Sequence, residues 1–432
     1  MASHLSRRRF LGYTAGASCL GLLGCKGKST GTRGAVPEIE SLAASPSGPR
    51  YVVQLLLSGG PDPVYTLDPK EGSEVAEGID LPKNNIIASA GNTRLGEHFA
   101  SLEKYLDRMS VLKGVQVGTA NHDTGIKQFT RLKTRATDRM PSILDIVGSA
   151  RDTQALGVVN LGTLFRTGHS PKFFGTSDPF YYGPDDVFSV ASKYKADGPA
   201  LAEQLRREAA GILAGAKSVK ALARPDRVTV DNLLQTAEFL RRMPNVPEFR
   251  AGRLHADYSQ QSMSDSLDRT MWLIKNDLTR CVHADLGLLG WDTHIQNEPR
   301  QRNMSTAFAS SFSRFLAALA SQSNAHGNLL DNTLVIVGAD IGRFPKLNAM
   351  DGKDHLPQTN FFFAGHGIAG GTSNGHTDEI MKAVPMSFKT GKADASGQIP
   401  LVDDIGTTVL RTCGFEPEQY GYAGRTIECI LS

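Results

Sequence analysis

Cysteine is scarce in this sequence. The 432 residues include five cysteines, and two of these lie within the first 25 residues. The other three, Cys281, Cys413 and Cys429, are an odd number and lack the short spacings of zinc-finger ligands. Neither a disulfide framework nor a cysteine-based zinc site is therefore indicated, although one pair could still form in an oxidising compartment.

The chain also has almost no excess of charge. Its formal net charge is +3, and the three arginines at positions 7–9 account for it, because the first 25 residues contain no acidic residue. Proteins that bind nucleic acid need a basic surface that neutralises phosphates. A nucleic-acid partner is therefore not expected.

The composition, 40% hydrophobic and 21% charged, is that of an ordinary globular protein. The apolar stretch at residues 10–23 is too short to span a membrane. It follows a twin-arginine motif, Ser6-Arg7-Arg8-Arg9-Phe10-Leu11-Gly12. This arrangement predicts a signal for export by the twin-arginine route.

The predicted signal at residues 1–25 ends in Leu22-Leu23-Gly24-Cys25, which is typical of a bacterial lipobox. The alternative is a plain cleaved signal with an incidental cysteine. Residues 26–50 are rich in Gly, Ser, Thr and Pro, which predicts a flexible tether. We therefore expect a periplasmic or cell-surface protein that a lipid on Cys25 attaches to the membrane.

Strands that alternate with helices predict one α/β domain over residues 51–432. Buried strands are predicted at 51–57, 110–117, 281–289 and 360–365, and in the apolar run after Asp331-Asn332. Helices are predicted at 126–134, 263–279, 304–321 and 401–414. Residues 151–255 are expected to form a mainly helical insertion or cap, with helices at 200–216 and 228–243. The rest predicts a mostly parallel central sheet with helices on both faces.

Acidic and imidazole side chains follow four of the predicted strands. In open α/β sheets, ligands bind at the carboxyl ends of the strands, so these side chains are expected to share one edge. Mixed carboxylate and imidazole ligands suit zinc, manganese or iron better than calcium. The sequence therefore predicts a site for one or two such ions, with the candidate ligands Asp62, Asp292, His294, Asp340, Asp354 and His355.

Two further residues are candidates for catalysis. Arg343, three residues after Asp340, could hold a phosphate or sulfate oxygen with its guanidinium fork. Thr124, in a polar loop that enters a helix, is a candidate nucleophile, with Thr119 as an alternative. His122 in the same loop could be a ligand, but for a lone histidine packing is the more frequent role.

The order of these motifs resembles one known family. Gly59-Gly60-Pro61-Asp62, Gly290-Trp291-Asp292-Thr293-His294, the Asp331–Arg343 segment and Asp354-His355 are similar to exported bacterial proteins of the domain of unknown function 1501. That family belongs to the alkaline phosphatase and sulfatase superfamily. The resemblance implies an alkaline-phosphatase-like α/β fold. By position, it places Asp62 and Asp340 at one metal and Asp292, His294 and His355 at a second, with Asp354 orienting its neighbour or ligating directly.

The resemblance implies a metal-dependent hydrolase of phosphate or sulfate esters, whose substrate is a small anionic ester or glycan. Two positions differ from the family pattern. Asp340-Ile341 stands where the family commonly has Glu and an aromatic residue and where superfamily phosphatases often have Asp-His, which could leave one metal site short. No Ser or Thr stands clearly at the nucleophile position, where Asn121-His122 resembles a variant of this family. Two alternatives therefore stay open. A metal hydroxide could attack the ester directly, or the protein could be a degenerate family member that binds metal or anionic ligands without catalysis. A third alternative, a phosphomutase or phosphotransferase, would need an alcohol acceptor and is less expected outside the cytoplasm.

Overall fold

The structure is a computed structural model. It describes residues 48–84, 87–137, 140–150, 154–161, 196–214, 224–246 and 260–432. The predicted signal, Cys25 and nearly all of the predicted tether lie outside these residues, and export and lipidation therefore stay predictions. Among the helices in these ranges, none is long and apolar enough to span a bilayer.

Thirteen strands are defined within the described residues. In chain order they are β1 (Tyr51–Leu56), β2 (Ile87–Ala90), β3 (Thr93–Gly96), β4 (Met109–Gln116), β5 (Leu156–Asn160), β6 (Thr279–Asp285), β7 (Ser323–Asn324), β8 (Gly327–Asn328), β9 (Thr333–Gly338), β10 (Gly342–Arg343), β11 (His355–Leu356), β12 (Gln358–Gly365) and β13 (Thr372–Asn374).

The α-helices of the same ranges are α1 (His122–Arg131), α2 (Ile143–Gly148), α3 (Gly198–Leu213), α4 (Arg224–Arg242), α5 (Gln260–Lys275), α6 (Asn297–Ser321) and α7 (Val402–Thr412). Turns of 3-10 helix are found at Gly72–Glu74, Glu97–Arg108, Met243–Asn245, Pro417–Tyr420 and Glu428–Ile430.

Seven of the strands form one central sheet in the order β13-β4-β12-β9-β1-β6-β5. The pairs β1–β6, β1–β9, β5–β6 and β13–β4 are parallel, and β12 runs antiparallel to both of its neighbours. The strands β4, β9, β1 and β6 therefore all point the same way. Their carboxyl ends meet at one edge of the sheet, where ligands bind in folds of this class.

Successive side chains of each central strand pack into different cores, because side chains alternate between the two faces of a sheet. In β1, Val53 and Leu55 join a core that includes Phe308 of α6. Val52 of the same strand joins a second core, which includes Ile405 of α7. Helices therefore cover both faces, and the predicted α/β class with a mostly parallel sheet is confirmed.

Most predicted elements are found within a few residues of their predicted bounds, and two differences concern the site. The strand predicted at 281–289 ends at Asp285, because Leu288 and Leu289 adopt positive φ angles of 46° and 65° and turn the chain. The helix predicted from residue 126 already begins at His122. Its N-cap residue Asn121 explains this, because the Asn121 side chain accepts a hydrogen bond from Thr124 N at 3.0 Å.

The described parts of the predicted insertion contain β5, α3 and α4. Leu205 of α3 and Leu240 of α4 belong to a small core of their own. The helices agree with those predicted at 200–216 and 228–243. That residues 151–255 form a cap over the site stays a prediction.

Candidate metal centre

Four connections at the carboxyl edge of the sheet supply the residues of the candidate site. The turn after β1 brings Gly59 against the chain that follows β6, since a Cβ at Gly59 would lie 2.5 Å from Asp292 N. Only glycine fits there, and its φ of 104° also favours glycine. This close approach of two backbone segments fixes Asp292 beside the end of β1.

Three imidazole rings converge on the Asp292 carboxylate. The Nε2 atoms of His122, His294 and His355 lie 3.4, 3.2 and 3.1 Å from Asp292 Oδ1. The Nε2 atoms of His294 and His355 are themselves only 2.8 Å apart. We call His122, Asp292, His294 and His355 the histidine cluster.

The opposite ring nitrogen of each histidine has its own acceptor. Nδ1 of His122 lies 2.6 Å from Asp340 Oδ2, and Nδ1 of His294 lies 3.2 Å from Asp354 Oδ1. Nδ1 of His355 lies 2.6 Å from the carbonyl oxygen of Ala120, which can only accept a hydrogen bond. The Nδ1 atoms are thus assigned as the donors, which leaves the Nε2 lone pairs directed into the cluster.

Asp340 is the orienting residue of His122. It is fully buried, and its two oxygens accept from Gly59 N at 2.9 Å and from the His122 ring. This carboxylate–imidazole pairing fixes the tautomer of metal-binding histidines in many proteins. Asp340 was predicted as a direct ligand, whereas its contacts are those of a residue that acts through His122.

The charges of the cluster are strongly coupled. Burial disfavours the imidazolium form of His122, but the Asp292 and Asp340 carboxylates outweigh this effect and raise the pKa of His122 to about 9. Burial also disfavours the Asp292 carboxylate, but contacts with His122, Arg343 and His355 outweigh it and hold the Asp292 pKa well below its usual range. The cluster therefore favours a positive charge beside the Asp292 carboxylate, which either a proton on His122 or a metal ion can supply.

The residues present fit a divalent transition metal. The donor atoms of His122, Asp292 and His355 all lie within 4.8 Å of one another. His122 Nε2 is buried and has no hydrogen-bond partner within the described part of the chain. Facing lone pairs on two imidazoles and a carboxylate repel one another unless a cation or proton lies between them. Imidazole and carboxylate donors in this number are typical of zinc, manganese and iron sites.

Arg343 is enclosed by protein. Its side chain is fully buried and donates from Nε to Gly59 O and from Nη1 to Lys353 O, each at 2.9 Å. Its Nη2 lies 2.6 Å from Asp292 Oδ1 and also contacts Gly59 O. These contacts position Asp292 and offset its charge. Binding of a substrate oxygen by Arg343 stays a prediction, and the observed contacts engage all three guanidinium nitrogens within the protein.

Asp62 lies apart from the histidine cluster. It follows β1 by six residues, is fully buried and bonds to Lys353 and Asn297. Thr124 also lies apart, two residues after His122 on α1. Side chains two positions apart on a helix do not face each other. Metal binding by Asp62 and nucleophilic attack by Thr124 remain untested predictions that this placement does not favour.

The structure thus brings Asp292, His294 and His355 together and adds His122, for which packing was the expected role. A capping signal in the sequence could have identified His122. Asn121 is a preferred N-cap residue, and a cap at this position puts His122 in the first turn of a helix at the carboxyl edge of the sheet.

Comparisons with known proteins agree with the family resemblance. Residues 273–429 match a family described as "Protein of unknown function (DUF1501)". No curated protein matches the chain by sequence.

Several solved structures are similar in shape. The lipoteichoic acid synthase LtaP from Listeria monocytogenes aligns with a TM-score of 0.42 at 9% identity, covering 91% of this chain and 78% of that one. A protein in the alkaline phosphatase superfamily from Vibrio parahaemolyticus aligns with a TM-score of 0.41 at 10% identity, covering 99% and 80%. The PsFucS1 sulfatase from Pseudoalteromonas sp. aligns with a TM-score of 0.40 at 13% identity, covering 89% and 72%.

Likenesses this distant say nothing about activity, and the assignment depends on the sequence match. The segment from residue 273 to residue 429 carries Asp292, His294, Asp340, Asp354 and His355. Through this segment, the chain is similar to the DUF1501 family.

Proposed function

We propose that this chain is an exported, metal-dependent hydrolase of phosphate or sulfate esters. The observation that carries the proposal is the convergence of three imidazole Nε2 atoms on Asp292 Oδ1, each ring held at Nδ1 by a separate acceptor. A divalent transition metal bound there would supply a Lewis acid and an activated water molecule.

The chain's own residues would bind the metal and orient its ligands. His122, His294, His355 and Asp292 would be the ligands, while Asp340 and Arg343 would fix their positions. The first turn of α1 lies at the cluster, because His122 is its first residue and Ala120 O bonds the His355 ring. The N-terminal end of a helix carries a partial positive charge and favours an anionic group nearby. This feature supports an anionic ester as the substrate.

Metal analysis and a substrate screen test this proposal on the full chain. We expect bound zinc, manganese or iron, and turnover of at least one ester in a panel of aryl phosphates and aryl sulfates. The double variant Asp292→Ala, His294→Ala should lose both metal and turnover, because it removes two of the candidate ligands. His326→Ala, which replaces an exposed histidine outside the histidine cluster, is the matched control. Unchanged metal content in the double variant would refute the ligand assignment.

Binding without turnover is the second candidate function. The placement of Thr124 favours it, since the hydroxyl predicted as the nucleophile does not share a helix face with His122. This candidate would be supported over the hydrolase if the unaltered protein binds metal, the double variant does not, and the unaltered protein turns over no ester in the panel.

Lipid attachment is a separate part of the proposal. Replacement Cys25→Ala removes the residue that would carry the lipid, so the protein should move from the membrane fraction to the soluble fraction. Cys429→Ala, which leaves the predicted signal intact, is the control. If both variants fractionate as the unaltered protein does, Cys25 carries no anchor.

A further inference from the structure

A second group of charged residues is joined to the histidine cluster through the backbone, and two of its three members are closed to solvent. Lys353 and Asp62 are both fully buried, and Lys353 Nζ lies 2.6 Å from Asp62 Oδ2. The same Nζ lies 3.1 Å from Asp80 Oδ2 and 4.9 Å from the centre of the Tyr65 ring. We call Lys353, Asp62 and Asp80 the lysine cluster.

The two carboxylates of the lysine cluster are also satisfied by neutral donors. Asp62 Oδ2 accepts from Asn297 Nδ2 at 2.8 Å, and Asp62 Oδ1 accepts from Val64 N at 3.2 Å. Asp80 Oδ2 accepts from the Tyr65 hydroxyl at 2.7 Å. With the ammonium beside it, the buried Asp62 carboxylate has the countercharge and hydrogen bonds that burial of an ion demands, and the partly exposed Asp80 shares the same ammonium.

Backbone contacts join the lysine cluster to the histidine cluster. Lys353 N donates to Thr293 O at 2.9 Å, and Thr293 lies between Asp292 and His294. Lys353 O accepts from Arg343, which also bonds Asp292. Lys353 immediately precedes Asp354 and His355. The two clusters are therefore joined through the backbone and Arg343, and one of them already holds a cation that belongs to the chain.

We propose that the Lys353 ammonium takes the place of a second metal ion, and that the chain consequently binds one divalent ion, at the histidine cluster. A divalent ion at Asp62 and Asp80 would have to displace an ammonium that bonds both carboxylates, and the two like charges would repel each other strongly in a buried site. This inference rests on the metal centre of the proposed function but not on hydrolysis.

Zinc binding to the full chain, measured by native mass spectrometry and elemental analysis, tests the inference. The unaltered protein should bind one zinc per chain. Asp62→Asn should also bind one zinc, with a lowered melting temperature, because it loses the charge opposite Lys353 and no metal ligand. Two zinc ions in the unaltered protein, or a zinc lost in Asp62→Asn, would overturn the inference, as would no zinc at all.

Removal of the ammonium provides the positive test. Lys353→Met keeps most of the side-chain length and leaves Asp62 and Asp80 without a countercharge. We expect it to bind a second zinc, which the double variant Lys353→Met, Asp80→Asn should lose again. A folded Lys353→Met protein that still binds one zinc would show that Lys353 does not replace an ion. If Lys353→Met does not fold, the Asp62→Asn result decides alone. Turnover enters none of these readouts, so they can fail or succeed independently of the hydrolase proposal.

Discussion

Three consecutive residues belong to two regions with opposite environments. Lys353 is fully buried in the lysine cluster, whereas Asp354 and His355 face the open histidine cluster, with side-chain exposures of 66% and 20%. Both regions contain carboxylates within reach of positively charged or metal-binding groups. They differ in how far solvent and ions can reach the side chains of each region.

Access decides what each region can do. In the lysine cluster, every charge has a partner from the chain, and the Lys353 ammonium already lies against both carboxylates. In the histidine cluster, the three Nε2 atoms lie within 3.4 Å of Asp292 Oδ1, and the His294 side chain is 46% exposed. Acidic residues at the ends of parallel strands are therefore not equivalent, and the partner of each carboxylate determines whether it stabilises the fold or binds a ligand.

The largest effect on stability is expected from the buried region. In Lys353→Met, the buried Asp62 carboxylate and the partly exposed Asp80 carboxylate lose their countercharge, and breaking a buried ion pair on one side costs about 3–5 kcal/mol. Urea unfolding in the presence of a chelator, which prevents metal from replacing the lost ammonium, should show this loss in the free energy of unfolding. Lys382→Met, an exposed lysine, is the control and should change it by less than about 0.5 kcal/mol. A loss below about 1 kcal/mol in Lys353→Met would mean that the lysine cluster is not an ion-paired core.

An intermediate effect is expected where the buried and open regions meet. Asp340 is fully buried but bonds the ring of His122, so Asp340→Asn should weaken zinc binding by about 10- to 100-fold, as removal of an orienting carboxylate does in other metal sites. Competition with a zinc-binding dye measures the change in the dissociation constant. Asp123→Asn, an exposed acid on the same helix turn, is the matched control. Complete loss of binding would make Asp340 a direct ligand, as the sequence predicted, and no change would remove its orienting role.

The sequence was informative about those site residues whose positions follow from the order of the strands along the chain. Asp292, His294 and His355 were predicted to meet because each follows a strand or a turn at the carboxyl edge of a parallel sheet, and that edge collects such residues in any fold of this class. The buried apolar pattern of the strands is enough to place them.

The partners of Asp62 and Asp340 could not be predicted in this way. Lys353 lies 291 positions from Asp62, and nothing in Gly352-Lys353-Asp354-His355 indicates that the lysine turns inward while its two neighbours turn outward. That choice depends on the hairpin formed by β10 and β11 and on the residues that it packs against. Likewise, the pairing of Asp340 with His122 requires the exact start of α1.

The smallest effect is expected in the open region, at Asp354. Its carboxylate lies 3.2 Å from His294 Nδ1 but is 66% exposed, so water and salt screen the interaction. Asp354→Asn should therefore weaken zinc binding only about two- to fivefold, in the range of exposed ion pairs. The difference from the unaltered protein should shrink as the salt concentration rises, whereas that of Asp340→Asn should not, because Asp340 is shielded from solvent. Dye competition at low and high salt on both variants measures this contrast. An effect of Asp354→Asn as large as that of Asp340→Asn, and independent of salt, would make Asp354 a direct ligand and would show that exposure does not separate the two regions.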